Sequence, residues 1–298
     1  MFHHPVIQDE WREETVAPFD ELMLTWNGSR PPTGHYSIYV SLKTDKWSPY
    51  LLYASWGKDL QSSFLSALEG CPFRVYQDVV ELKNGGKATG FQVKIVPENG
   101  AELHHLRSLH VFINGGDSSE KNVDLDSIYL NVNGLSQITL PHPRAKDLCS
   151  PTSTTAAVRY LLNQDSLDPV LFAERSRDQG FDIFGNWVLN VAESSSVLGP
   201  AWDCWVGRLT GFGDIYERLC QKIPVVVSVR GPLVGSALPY AKGHLLVVIG
   251  YDALHEKVLC MDPAFSSDEK THVSYPLRDF VEAWERRGRI AYCWSCAK

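Results

Sequence analysis

Asp147-Leu148-Cys149-Ser150-Pro151-Thr152-Ser153 sets a cysteine one residue ahead of a helix-start signal. Ser150 can cap that helix, because its hydroxyl can accept from a free N–H of the first turn. Pro151 suits the first helical position, where its missing N–H costs nothing. From Thr154 to Asn163, the residues Ala156, Ala157, Val158, Leu161 and Leu162 recur at spacings that give a helix one buried face. A thiol at a helix N-terminus meets the positive end of the macrodipole, which favours the thiolate. Cys149 is therefore a candidate nucleophile. The alternative is a small buried core residue, the usual fate of a free cysteine.

A nucleophilic cysteine needs a base within hydrogen-bond reach and a third group to orient that base. The chain has ten histidines, and His244 stands apart from the rest. It begins His244-Leu245-Leu246-Val247-Val248-Ile249-Gly250-Tyr251, directly after Gly243. A strand this apolar on both faces is central in a sheet, and an imidazole buried there needs a partner. Lys257 to Met261 forms the next strand, with a short connection centred near Ala253. A hairpin about that centre sets His244 opposite Asp262. A carboxylate there fixes the imidazole tautomer and stabilises the imidazolium. Read alone, Asp262-Pro263 is a common way to begin a loop.

The first half of the chain reads as β structure. Tyr36, Ile38, Val40 and Leu42 alternate with Ser37, Tyr39, Ser41 and Lys43; Phe91, Val93 and Ile95 with Gln92 and Lys94; and Leu109, Val111 and Ile113 with His110 and Phe112. Asn27 to Gly34, Asn84-Gly85-Gly86 and Glu98-Asn99-Gly100 supply the turns. Short strands with such breaks suggest a β-sandwich. Gly115 to Asn122 is the best linker candidate. The second half has helices over Thr154–Asn163, Asp168–Gln179, Asn186–Val197, Ile215–Lys222 and Phe280–Arg287, and strands between and after them. The expected fold class is thus α+β. An N-terminal β-sandwich-like domain spans residues 1–120, and a domain of helices packed on an antiparallel sheet spans 121–298.

Leu148 to Ser153, Gly185-Asn186-Trp187, Gly243-His244-Leu245 and Asp262-Pro263-Ala264 occur in that order, and together they resemble the bacteriocin-processing-peptidase-like family of papain-like cysteine peptidases. The resemblance covers roughly residues 130–296. It implies a papain-like domain and a bacterial thiol protease with a Cys-His-Asp triad: Cys149 as nucleophile, His244 as base and acid, Asp262 as orienting carboxylate. It also implies Gln137 as an oxyanion donor, from the match of Ser136-Gln137. Asn133 stands where the family usually carries a proline. Asn186 and Trp187 either line the cleft and bind substrate or serve to cap their helix.

Other classes are weighed against this one. A net charge of -7 and the lack of a basic run argue against a nucleic-acid partner. No apolar run reaches the roughly 20 residues of a membrane span. Met1 to Asp20 lacks the apolar core of a signal peptide. A chain that begins there would be cytoplasmic, and one whose leader had been trimmed would be exported. Seven irregularly spaced cysteines do not suggest a disulfide framework. Cys293-Trp294-Ser295-Cys296 is a single Cys-x-x-Cys, and zinc would need further ligands such as His142 or His272. Neither metal nor cofactor is expected. The same triad could serve a transglutaminase-like acyltransferase, and a non-catalytic binding protein could act through its β-domain. The expected partners are a peptide, protein or cell-wall peptide substrate, with a glycan or protein contact by the N-terminal domain.

Overall fold

Alternating apolar residues in the first 113 positions resolve into ten strands in a computed structural model, which describes residues 1–115 and 123–297. The strands are β1 (Phe2–Pro5), β2 (Glu10–Glu13), β3 (Glu21–Gly28), β4 (His35–Lys43), β5 (Leu51–Gly57), β6 (Gln61–Ser66), β7 (Phe73–Gln77), β8 (Val79–Leu82), β9 (Gly90–Glu98) and β10 (Leu106–Ile113). Then follow β11 (Ile128–Tyr129), α1 (Cys149–Leu162), α2 (Pro169–Ser176), α3 (Trp187–Leu198), β12 (Trp202–Arg208), α4 (Phe212–Cys220) and β13 (Val225–Val229). The chain ends with β14 (His244–Asp252), β15 (Lys257–Met261), β16 (His272–Pro276), α5 (Leu277–Glu285) and β17 (Ile290–Cys296). The linker expected at Gly115–Asn122 lies, beyond Gly115, outside the described residues.

The chain divides into two units. The first comprises Met1–Asp117, Ser176–Pro200 and Cys204–Val206; the second comprises Ser118–Arg175, Ala201–Asp203 and Gly207–Lys298. This differs from a single cut after residue 120, because α3 joins the first unit. The reason is a set of long-range polar contacts. The Arg30 guanidinium meets Glu193 of α3 at 2.9 Å and Gln61 at 2.7 Å. Ser195 and Ser196 accept from the backbone of Gly28 and Arg30, both at 3.1 Å. Asn27 exchanges two hydrogen bonds with the backbone of Cys204.

The sheet of the first unit has the order β1-β10-β3-β8-β7-β6-β5-β4-β9-β2. It is one continuous sheet that folds over on itself. Trp26 on β3 and Trp56 on β5 are not on neighbouring strands, yet their rings lie 6.0 Å apart. The buried Tyr53 hydroxyl on β5 donates to the Asp78 carbonyl at 2.7 Å and accepts from Leu24 N–H on β3 at 3.1 Å. At the two ends of the sheet, His4 on β1 stacks on Trp11 on β2 at 4.9 Å, and both Phe2 and Trp11 meet Phe91 edge-on. Alternation places Tyr36, Ile38, Val40 and Leu42 in the core, as expected. The other face of β4 is covered as well, and its serines are paired: Ser37 donates to Glu98 at 2.6 Å, and Ser41 to the Ser48 carbonyl at 2.9 Å.

The second sheet has seven strands in the order β12-β17-β13-β14-β15-β16, with β11 beside β14. The pairings of β13, β14, β15 and β16 are antiparallel. β14 is central and buried from His244 to Tyr251, as its apolar run requires. α1 packs along β14 and β13, α4 packs on the same two strands, α5 packs on β13, β15 and β16, and α4 and α5 meet through Phe212 and Phe280. Burial of these apolar faces stabilises the unit by about 25 cal/mol per Å² removed from water. Among the described residues, no helix is long and apolar enough to cross a membrane.

Candidate active site

Cys149 is the first residue of α1. The helix therefore starts earlier than a cap at Ser150 would allow: Leu148 occupies the cap position, without a side-chain capping bond. Ser150 is buried, and its hydroxyl pairs with the Tyr292 hydroxyl at 2.8 Å instead of capping. Pro151 remains within the first turn, where it breaks no intrahelical bond. Ser153 donates to the Leu245 carbonyl at 3.0 Å and so ties α1 to β14 beside His244.

His244 opens β14 after Gly243, whose φ of +103° is easy only for glycine. The His244 Nε2 lies 2.8 Å from Asp262 Oδ1. Nδ1, the other ring nitrogen, is not engaged by Asp262, and the Cys149 thiol is near enough to His244 for each to shift the titration of the other. Cys149 is half-buried, His244 is buried, and Asp262 is fully buried. Burial thus increases from Cys149 at the start of α1 to the Asp262 carboxylate, which is shielded from water.

Asp262 Oδ1 also accepts from Ala264 N–H at 3.0 Å. Its Oδ2 accepts from the Tyr240 hydroxyl at 2.8 Å and the Tyr275 hydroxyl at 2.7 Å. The Tyr240 ring stacks on the His244 imidazole, with centroids 4.0 Å apart and planes 16° from parallel. Neither tyrosine carries a sequence signal, since each sits in a segment with no motif.

The charges follow from these contacts. Burial pushes the Cys149 thiol up, but the hydrogen bond and charge of His244, with the backbone N–H groups of Leu245 and Ser150, bring it below the ordinary thiol value. Burial pushes His244 down, but the charge and hydrogen bond of Asp262, with the Cys149 contact, raise it to about 10. Burial pushes Asp262 up, but the charge and hydrogen bond of His244, with the bonds from Tyr275 and Ala264, hold it below the usual carboxylate value. A thiolate beside an imidazolium satisfies all three directions. By contrast, burial drives the Cys260 and Cys293 thiols up.

Gln137 lies close by in sequence and in space. It is buried, and its backbone N–H donates to the Pro263 carbonyl at 2.9 Å. Its side-chain amide donates to the carbonyls of Ala145 at 3.1 Å and Lys146 at 2.8 Å. One residue therefore ties the segment after Asp262 to the turn that delivers Cys149. Both amide hydrogens are engaged, and Oε1 is buried without a partner. Asn133 Nδ2 donates to Asp165.

Asn186 and Trp187 belong to the first unit. Asn186 caps α3 by accepting from Leu189 N–H at 3.0 Å, and it donates to Asp178 at 2.9 Å. The Trp187 backbone N–H donates to Asp78 at 2.9 Å. All seven cysteines are free. The groups weighed for zinc are engaged separately. His142 Nε2 is 2.9 Å from Glu174, His272 Nε2 is 2.8 Å from the Val132 carbonyl, and Cys293 is buried while Cys296 is exposed.

A crystal structure of a Bacillus anthracis protein provisionally named a C39-like peptidase aligns with 58% of this chain and 99% of its own, at 19% identity and a TM-score of 0.44. No curated protein matches the chain. The model of the Peptidase_C39 like family matches residues 129–292, more than half of the chain and the span that holds Gln137, Cys149, His244 and Asp262, and the protein belongs to that family.

Proposed function

We propose that the protein is a cysteine peptidase that hydrolyses a peptide or amide bond through Cys149, His244 and Asp262. The support for this reading is the 2.8 Å hydrogen bond between His244 and the buried Asp262, together with a Cys149 thiol and a His244 imidazole near enough for each to shift the titration of the other. The thiolate attacks the scissile carbonyl carbon and forms a C–S bond. His244 gives its proton to the leaving amine as the C–N bond breaks. It then takes a proton from water as the water oxygen attacks the acyl-enzyme carbon; the C–S bond breaks, the acid departs, and the thiolate–imidazolium pair is restored. Asp262 holds the imidazole in the tautomer that this cycle needs. The Cys149 N–H, unpaired at a helix start, and the Gln137 amide are the proposed oxyanion donors. Gln137 takes that part when one of its N–H groups exchanges the carbonyl of Ala145 or Lys146 for the substrate oxygen.

In this reading the second unit is a papain-like peptidase domain, and the β-rich first unit is an accessory domain for a protein or glycan target. The substrate class is a peptide or protein, cell-wall peptides included. Wild type and Cys149→Ala are compared on a panel of peptides and peptidoglycan fragments, with products read by mass spectrometry. Cleavage by wild type alone is expected, and equal cleavage by both would refute the mechanism.

A further inference from the structure

We propose that Tyr240 and Tyr275 are positioning residues that clamp Asp262 and, through it, fix the imidazole of His244. The inference rests on His244 acting as the base. A carboxylate has about four lone-pair directions to satisfy. Asp262 meets four donors: His244 and Ala264 on Oδ1, Tyr240 and Tyr275 on Oδ2. The two hydroxyls come from different elements, the loop before β14 and the strand β16. Their convergence on a single oxygen prevents the carboxylate from turning about Cβ–Cγ, so the Oδ1 lone pair stays aimed at Nε2. Tyr240 acts a second time, since its ring lies flat on the imidazole and restrains the ring plane.

The backbone of Tyr240 supports the same conclusion. Its φ is +50°, a region that a non-glycine residue enters only at a cost. Such strain persists where surrounding bonds over-determine it, and it clusters at functional sites. Here the Tyr240 carbonyl accepts from Gly231 N–H at 3.2 Å and Gly243 N–H at 2.9 Å, while its hydroxyl is held by Asp262. Burial and the Asp262 charge push both tyrosine hydroxyls well above their ordinary value, so they stay donors throughout the working pH range. The Cys260 thiol is likewise pushed up, by burial and by that carboxylate.

The hydroxyls also set how strongly Asp262 pulls on the His244 proton. Two donors on Oδ2 withdraw charge from Oδ1. Without one of them, Oδ1 holds the Nε2 proton more tightly, and the imidazolium gives up its other proton less readily to a leaving amine.

The test uses Tyr240→Phe and Tyr275→Phe in the full chain, both of which keep the ring. Each is expected to lower kcat roughly tenfold, the low end of what a hydrogen bond to a charged group is worth, with KM within about twofold. The Nε2–H proton resonance of His244 is expected to move downfield, which a merely structural tyrosine would not cause. Unchanged kcat and unchanged resonance in both variants would overturn the proposal. If Tyr275→Phe does not fold, Tyr240→Phe decides alone. If no cleavable peptide is found, the Cys149 alkylation rate replaces kcat. Cleavage that survives Cys149→Ala would sink the peptidase reading itself. Loss in Cys149→Ala with wild-type behaviour in both tyrosine variants would sink this inference alone.

Discussion

His244 Nε2 and Asp262 Oδ1 are 2.8 Å apart although the two residues do not face each other across β14 and β15. The strands pair Val247 with Met261 and Val248 with Cys260, and a bulge lies between Val248 and Gly250. Continued past Met261, that register sets Asp262 opposite Leu246, so His244 reaches it along the diagonal. Diagonal neighbours lie on the same face at about 7–8 Å, a gap that an imidazole and a carboxylate can close. The contact thus depends on the direction of the Asp262 carboxylate.

Asp262→Asn tests that dependence with little change of shape. The amide cannot stabilise an imidazolium and favours the wrong tautomer. It is expected to lower kcat by at least about 100-fold with little change in KM, a loss of more than roughly 2.7 kcal/mol of transition-state stabilisation. Kinetics on any peptide that wild type cleaves would check it. A loss confined to KM would show that Asp262 serves binding and not the base.

Gln137 has two tasks that a single variant separates. Removing an oxyanion donor costs about 10²–10³ in kcat. Gln137→Ala is expected to fall in that range while Cys149 still reacts with iodoacetamide at close to the wild-type rate. A parallel loss of alkylation would mean that Gln137 acts only as the tie between the Ala145–Lys146 turn and Pro263.

Glu193 tests the long-range contact that draws α3 into the first unit. Its side chain is 2% exposed and pairs with Arg30, itself 19% exposed. Breaking a buried pair by removing one partner costs about 3–5 kcal/mol. Glu193→Ala is expected to lower stability by that order in a denaturant titration, and Glu193→Gln, which can still accept from Arg30, by clearly less. Equal stability of all three forms would contradict a structural role for the pair.

Legibility in the sequence followed the range of the interactions. β14 could be read because its apolar run is continuous, and α1 because its buried face repeats within one helix. The Cys149, His244 and Asp262 set could be named because each residue sits at the edge of such an element. The cap was misread at Ser150, since nothing local reveals that Tyr292, far along the chain, takes its hydroxyl. The register was misread because the turn is centred between Leu254 and His255, with Asp252 opposite Lys257, and not at Ala253; the bulge between Val248 and Gly250 takes back one residue of that offset. The place of α3 depended on Glu193 meeting Arg30, a contact that no periodicity encodes. Tyr240 and Tyr275 were invisible for the same reason, being joined only through Asp262.

The most direct test of the account is the pH dependence of Cys149 alkylation, followed residue by residue by mass spectrometry. The exposed Cys220 and Cys296 of the same molecule are the reference thiols. A lowered Cys149 means that its thiolate persists to lower pH than an ordinary thiol would allow. A His244 raised to about 10 means that the imidazolium persists until the pH passes that value. Cys149 is therefore expected to alkylate on a plateau that begins below the ordinary thiol value of about 8.5 and gains a second step near 10, and His244→Ala is expected to abolish the plateau. A single rise near the ordinary thiol value, unchanged by His244→Ala, would contradict the thiolate–imidazolium pair and with it the proposed peptidase.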